Sequence, residues 1–200
     1  MVSIKPRFTR LALSLALTTV IALGTALPTF AAGDDTDVNV LAGSLAVTTP
    51  AAANFTSVTL DGTLKTTTAA LATFTVTDAR GNGAGWHVTA QATQFAEWDS
   101  TLNSGAGGYK PSGRTIPANS LTMTVPSVAA NGTTSPAPTI ASGPYTLDSG
   151  SAVSIASAAA DEGMGIYDLG TTTLTLSLPP ATTYAAPYRS TVTISVITAP

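Results

Sequence analysis

The side chains best suited to chemistry in this chain crowd into two short stretches. The first runs Asp78-Ala-Arg80-Gly81-Asn-Gly-Ala-Gly85-Trp86-His87-Val88, and the second is Glu97-Trp98-Asp99. His87, the single histidine, is the natural general base, yet no nucleophile is prepared for it: cysteine is absent and no serine sits in a Gly-x-Ser-x-Gly elbow. Glu97 and Asp99 would share a face of a strand, whereas the two carboxylates that flank a glycosidic bond come from separate elements. The pair therefore reads as a solvated loop that follows a strand. The glycines from Gly81 to Gly85 lack the Lys-Ser or Lys-Thr pair and the helix that a phosphate cradle needs, so they read as a wide hairpin turn. Zinc-type spacing is missing. Asp34, Asp35 and Asp37, and Asp161 and Glu162 with Asp168, lack the spaced ligands and turn glycine of a calcium loop. No catalytic constellation assembles, and no cofactor or metal is expected.

The elements that hold these residues are strands. Thr, Ala, Ser, Val and Gly dominate beyond residue 31. Branched side chains suit a pleated surface, and long helix-favouring side chains are scarce. Strict alternation marks Phe74–Thr77, Leu121–Val125, Leu174–Leu178 and Val192–Val196 as half-buried strands. Further strands are expected at Val38–Val47, Val58–Leu60, Trp86–Phe95, Tyr145–Leu147, Val153–Ile155 and Gly165–Leu169. Turn signals at Asp61-Gly62, Asn131-Gly132, Ser149-Gly150 and Pro179-Pro180 separate them. Many short strands without helical periodicity predict an all-β fold: an antiparallel, Greek-key-like β-sandwich. Ser100–Asn119 and Ala129–Pro144, rich in Gly and Pro, are expected to be long loops.

Residues 1–31 have the order of a secretory signal: Lys5, Arg7 and Arg10, an apolar run from Leu11 to Leu27, then Pro28 and small residues. The domain proper is then 32–200, outside the cell and without a membrane anchor once the signal is cleaved. It keeps five basic residues against eleven acidic ones, about six net negative charges. That balance disfavours nucleic acid and anionic lipid as partners. With no cysteine, packing and backbone pairing alone must hold the exported fold.

The segment from Val76 to Ala90 resembles the first signature of WxL-type surface domains, in which a strand ends in Thr-Asp-x-Arg-Gly and a Gly-rich turn leads to Gly-Trp-x-Leu. Asp78, Arg80, Gly81, Gly85 and Trp86 fall on that pattern, with Val88 in the place of Leu. The closing strand from Tyr188 to Pro200 is similar to the second signature, with Ile194 where a second Trp belongs and Val196 in place of Leu. The resemblance implies a non-catalytic all-β protein, exported and held non-covalently on a Gram-positive wall, with peptidoglycan or another wall glycan as partner. A subunit of a surface protein complex is the other reading. Trp86 is either an inter-sheet plug or, with Val88, part of a ligand surface. Trp98, Tyr109, Tyr184 and Tyr188 are the aromatics available to stack on sugar rings, and Asp78 and Arg80 pair to stabilise the turn.

Overall fold

The computed structural model describes residues 38–48, 50–51 and 54–199. The expected export signal, the acidic Asp34–Asp37 stretch and the start of the domain lie outside them. Leu41–Pro200 form one compact unit. Its described residues hold fifteen strands and one turn of 3-10 helix. In chain order the strands are β1 (Leu45–Val47), β2 (Lys65–Leu71), β3 (Phe74–Asp78), β4 (Trp86–Ala92), β5 (Ala96–Asp99), β6 (Gly108–Tyr109), β7 (Leu121–Met123) and β8 (Val128–Ala130). There follow β9 (Thr139–Ile140), β10 (Tyr145–Thr146), β11 (Val153–Ala158), β12 (Gly165–Leu169), β13 (Thr172–Leu178), β14 (Tyr188–Arg189) and β15 (Val192–Thr198). All pairings are antiparallel, and the architecture is a β-sandwich.

Four sheets are formed, ordered β1-β3-β12-β8, β10-β7-β13-β2, β15-β4-β11-β9 and β14-β5-β6. The first two are halves of one ribbon. Leu71 pairs with Thr172 and Phe74 with Leu169, so the register passes unbroken from β2–β13 into β3–β12. What slips is the alternation: Leu71 and Phe74 are both buried while Ala72 and Thr73 between them are exposed. The partner strand slips at the same place, at Gly170-Thr171, so pairing survives the interruption. The third strand keeps its register too, with the Thr124 amide on the Thr173 carbonyl and the Gly170 amide on the Ser127 carbonyl.

The core follows the expected alternation where it was strongest. In β4, Trp86, Val88, Ala90 and Ala92 are buried and the residues between them half-exposed. In β13, Leu174, Leu176 and Leu178 point inward and Thr175 and Ser177 outward. Period two is the pleat itself.

Several local expectations are corrected. Val58–Leu60 forms no strand, and of Val38–Val47 only Leu45–Val47 does. Lys65–Leu71 is a strand that its Thr- and Ala-rich sequence conceals; the leucines that alternate belong to its partner β13. The two long loops are punctuated by β6, β8 and β9. Gly81–Gly85 does not close a hairpin: β3 pairs with β1 and β12, and β4 with β15 and β11, so the turn carries the chain from one sheet to another. Glu97 is not solvated but buried, in strand β5.

Candidate functional site

The motif residues meet at one corner of the sandwich, and their chemistry there is cohesive. Asp78, at the end of β3, is 3% exposed. Arg80 grips it with two parallel bonds, Nε to Oδ1 at 2.9 Å and Nη2 to Oδ2 at 2.8 Å, and its amide adds a third at 3.1 Å. Nη2 also donates to the Gly85 carbonyl at 2.7 Å and Nη1 to the Thr198 hydroxyl at 3.0 Å. One guanidinium therefore ties the end of β3, the start of β4 and the end of β15. It holds the Asp78 carboxyl below the usual carboxylate range, because a charged bidentate partner favours the ionised form. Gly81 takes φ +65° and Gly85 φ +66°. At Gly85 a side chain is doubly barred, since its Cβ would lie 2.5 Å from the Ala158 carbonyl oxygen.

Trp86 is fully buried, as is Val88. The indole Nε1 donates to the Gly163 carbonyl at 2.9 Å and the ring meets Tyr167 at 6.5 Å between centroids. The Tyr167 hydroxyl in turn donates to the carbonyls of Ser135 and Pro136, at 2.6 and 3.0 Å. Both aromatic residues thus have their polar ends satisfied inside the fold, and Trp86 has no surface to offer a ligand. The two signature strands lie side by side: Trp86 faces Thr198, Val88 faces Val196 and Ala90 faces Ile194. Ile194, at the second tryptophan position, is buried at 8% exposure and Val196 half-buried.

The other aromatics gather elsewhere, on the sheet β14-β5-β6. Trp98 pairs across β5–β6 with Tyr109, and their rings stand edge-to-face at 5.2 Å. The Arg189 guanidinium lies 3.7 Å from the Trp98 ring centre, reaching diagonally from its place opposite Ala96. Gly107 allows the close approach of the indole, since a Cβ there would come within 2.6 Å of it. Tyr109 is 46% exposed and Trp98 half-exposed. The opposite face of the sheet carries buried Glu97, flanked by Lys110 Nζ at 3.6 Å and Arg114 Nη1 at 3.9 Å. Arg114 also covers the Tyr184 ring at 3.9 Å. The Tyr188 hydroxyl donates to the Tyr184 carbonyl at 3.0 Å, and burial pushes its pKa up. Sequence reasoning found these aromatics but not the cations among them. The signal was present in the dipeptides Tyr109-Lys110 and Tyr188-Arg189.

Beside this sheet runs a groove of about 1150 Å³. Its floor includes Leu71, Leu174 and Leu176, and its walls include Thr59, Thr183 and Arg189. Phe55, lying edge-on to Phe95 at 5.7 Å, closes part of one side. Among the described residues no three potential metal ligands cluster, and no helix is long and apolar enough to cross a membrane.

Comparison with curated proteins and with solved structures finds no match. A family model does match, described as WxL domain surface cell wall-binding, over residues 33–200. That span contains both signature strands and the corner they build together. The chain belongs to the WxL family of surface cell wall-binding domains.

Proposed function

We propose that this protein is an exported, non-catalytic wall-binding module that attaches without covalent linkage to peptidoglycan, through the Trp98–Tyr109–Arg189 surface of its small sheet. The family supports wall binding in general; the exposed aromatic pair on β5 and β6 supports this choice of surface. A fixed indole with an exposed phenol beside it offers apolar faces to sugar rings together with polar edges. Arg189 holds the Trp98 ring in place before any ligand arrives, which lowers the ordering cost of binding. The motif corner, by contrast, supplies stability: Trp86 and the Asp78–Arg80 pair are spent on internal contacts.

Co-sedimentation with purified Gram-positive sacculi tests this. The folded wild type is expected in the pellet, and Trp98→Ala, folded by circular dichroism, in the supernatant. A wild type that stays in the supernatant rejects the reading. A second reading, a subunit that joins other surface proteins, draws on β15: seven residues long, uncharged and outermost in its sheet. The outermost strand of a sheet is where a partner strand adds. It gains if sacculi fail to bind and a surface protein of the host is captured through β15.

A further inference from the structure

We propose that the groove beside the small sheet holds the glycan strand of the wall, an uncharged N-acetylated polysaccharide, rather than its peptides or phosphate-bearing polymers. The proposal rests on the wall-binding reading above. Two observations carry it.

The first is size. At about 1150 Å³, the groove exceeds the range of about 300–1,000 Å³ that houses single small molecules. It has room for several linked rings. The second is lining. Half-buried Phe55, Val58 and Val192 supply apolar surface along it, while Thr56, Thr59 and Thr191 place hydroxyls along the sides. Hydroxyls both donate and accept, which matches sugar hydroxyls in any orientation, and acetyl methyl groups have Phe55, Val58 and Val192 to lie on. Among the described lining residues there is no carboxylate, and Arg189 is the one formal charge. Stem peptides, with their carboxylates and amines, would lose hydration there without gaining counter-charges. Polyphosphate chains meet the further obstacle of an acidic domain.

Arg189 joins groove to platform, since it lines the one and stacks on Trp98 of the other. A polymer leaving the groove therefore runs onto Trp98 and Tyr109.

The test titrates the purified protein with a hexamer of β-1,4-linked N-acetylglucosamine, followed by amide NMR shifts, beside the sacculi assay. Shifts at Thr59, Leu176 and Thr183 are expected, with at least tenfold weaker binding of the deacetylated glucosamine hexamer. Ala186→Trp and Thr59→Trp, which fill the groove from its rim, should each weaken hexamer binding at least tenfold in protein whose spectrum shows a native fold. Sacculi that sediment the protein while the hexamer leaves the groove amides unmoved, or moves only those around Trp98, overturn the groove assignment and spare the wall reading. Competition by soluble stem peptide with matching groove shifts overturns it in favour of peptide. Failure to sediment with sacculi rejects the wall reading itself, whichever way the hexamer behaves.

Discussion

At the residue scale, Asp78 and Arg80 form the pair on which the corner depends. Removing one partner of a buried, hydrogen-bonded ion pair leaves the other uncompensated and costs about 3–5 kcal/mol. Asp78→Asn is therefore expected to lower unfolding free energy at pH 7 by about 3 kcal/mol, read by urea denaturation. The pH dependence follows from the depressed pKa of Asp78, whose ionised form Arg80 favours. A carboxyl that ionises near pH ~3.9 when unfolded, and lower when folded, stabilises fully above that value. Its contribution fades as pH falls towards the native value. The gap between wild type and Asp78→Asn should thus narrow between pH 7 and pH 3, and a constant gap would place the stabilisation elsewhere. Gly85→Ala combines a positive φ with a collision at the Ala158 carbonyl. Its cost is expected to be at least about 2 kcal/mol, in thermal or urea unfolding.

At the element scale, β4 and β15 bring the two signature strands into register, so their central residues bear on stability before binding. Trp86→Ala deletes a fully buried ring with a satisfied Nε1, a loss of about 3–5 kcal/mol. Any fall in sacculus binding by that variant is expected to track its unfolded fraction. Ile194 faces inward opposite Ala90. Ile194→Trp, which restores the family's residue, adds bulk to a filled layer and should cost about 1–3 kcal/mol without changing sedimentation of the folded protein. An increase in wall binding instead would show that the second tryptophan reaches the ligand. The small sheet behaves in the opposite way. Trp98 and Tyr109 hold one another at the surface, so Trp98→Ala should weaken wall binding about tenfold, roughly 1.4 kcal/mol, with little effect on melting temperature.

At the scale of the whole molecule, charge decides which wall polymers can approach. Beyond residue 31 the chain carries eleven acidic and five basic residues, and three of those five, Lys110, Arg114 and Arg189, lie in or beside the small sheet. Lys110 and Arg114 are committed to buried Glu97, which leaves Arg189 as the free positive end of the platform. Contact with a neutral glycan should therefore be nearly indifferent to ionic strength. Sedimentation with sacculi is expected to change less than twofold between 50 and 500 mM NaCl, a range over which the screening length falls from about 13 to about 4 Å. A steep loss with salt would point to an anionic polymer held by the cations.

The sequence alone determined the class of fold and the strands whose burial alternates, because period two is imposed by the pleat and is visible wherever leucine or valine trades places with threonine. Phe74–Thr77, Leu174–Leu178 and Val192–Val196 were legible for that reason. The Asp78-x-Arg80-Gly81 signature was legible as a turn, since its bonds are local. Tertiary structure decided the rest. Lys65–Leu71 is a strand by virtue of its partner, as Thr and Ala carry too little contrast to show a face. Glu97 is buried because Lys110 and Arg114, brought in from a separate loop, flank its charge, and no local pattern announces that. The direction of Trp86 was left open by its sequence and settled by Gly163 and Tyr167, seventy-seven and eighty-one positions away. The groove and the Arg189–Trp98 stack likewise exist only once distant segments pack, because long-range pairing, unlike periodicity, leaves no trace in neighbouring residues.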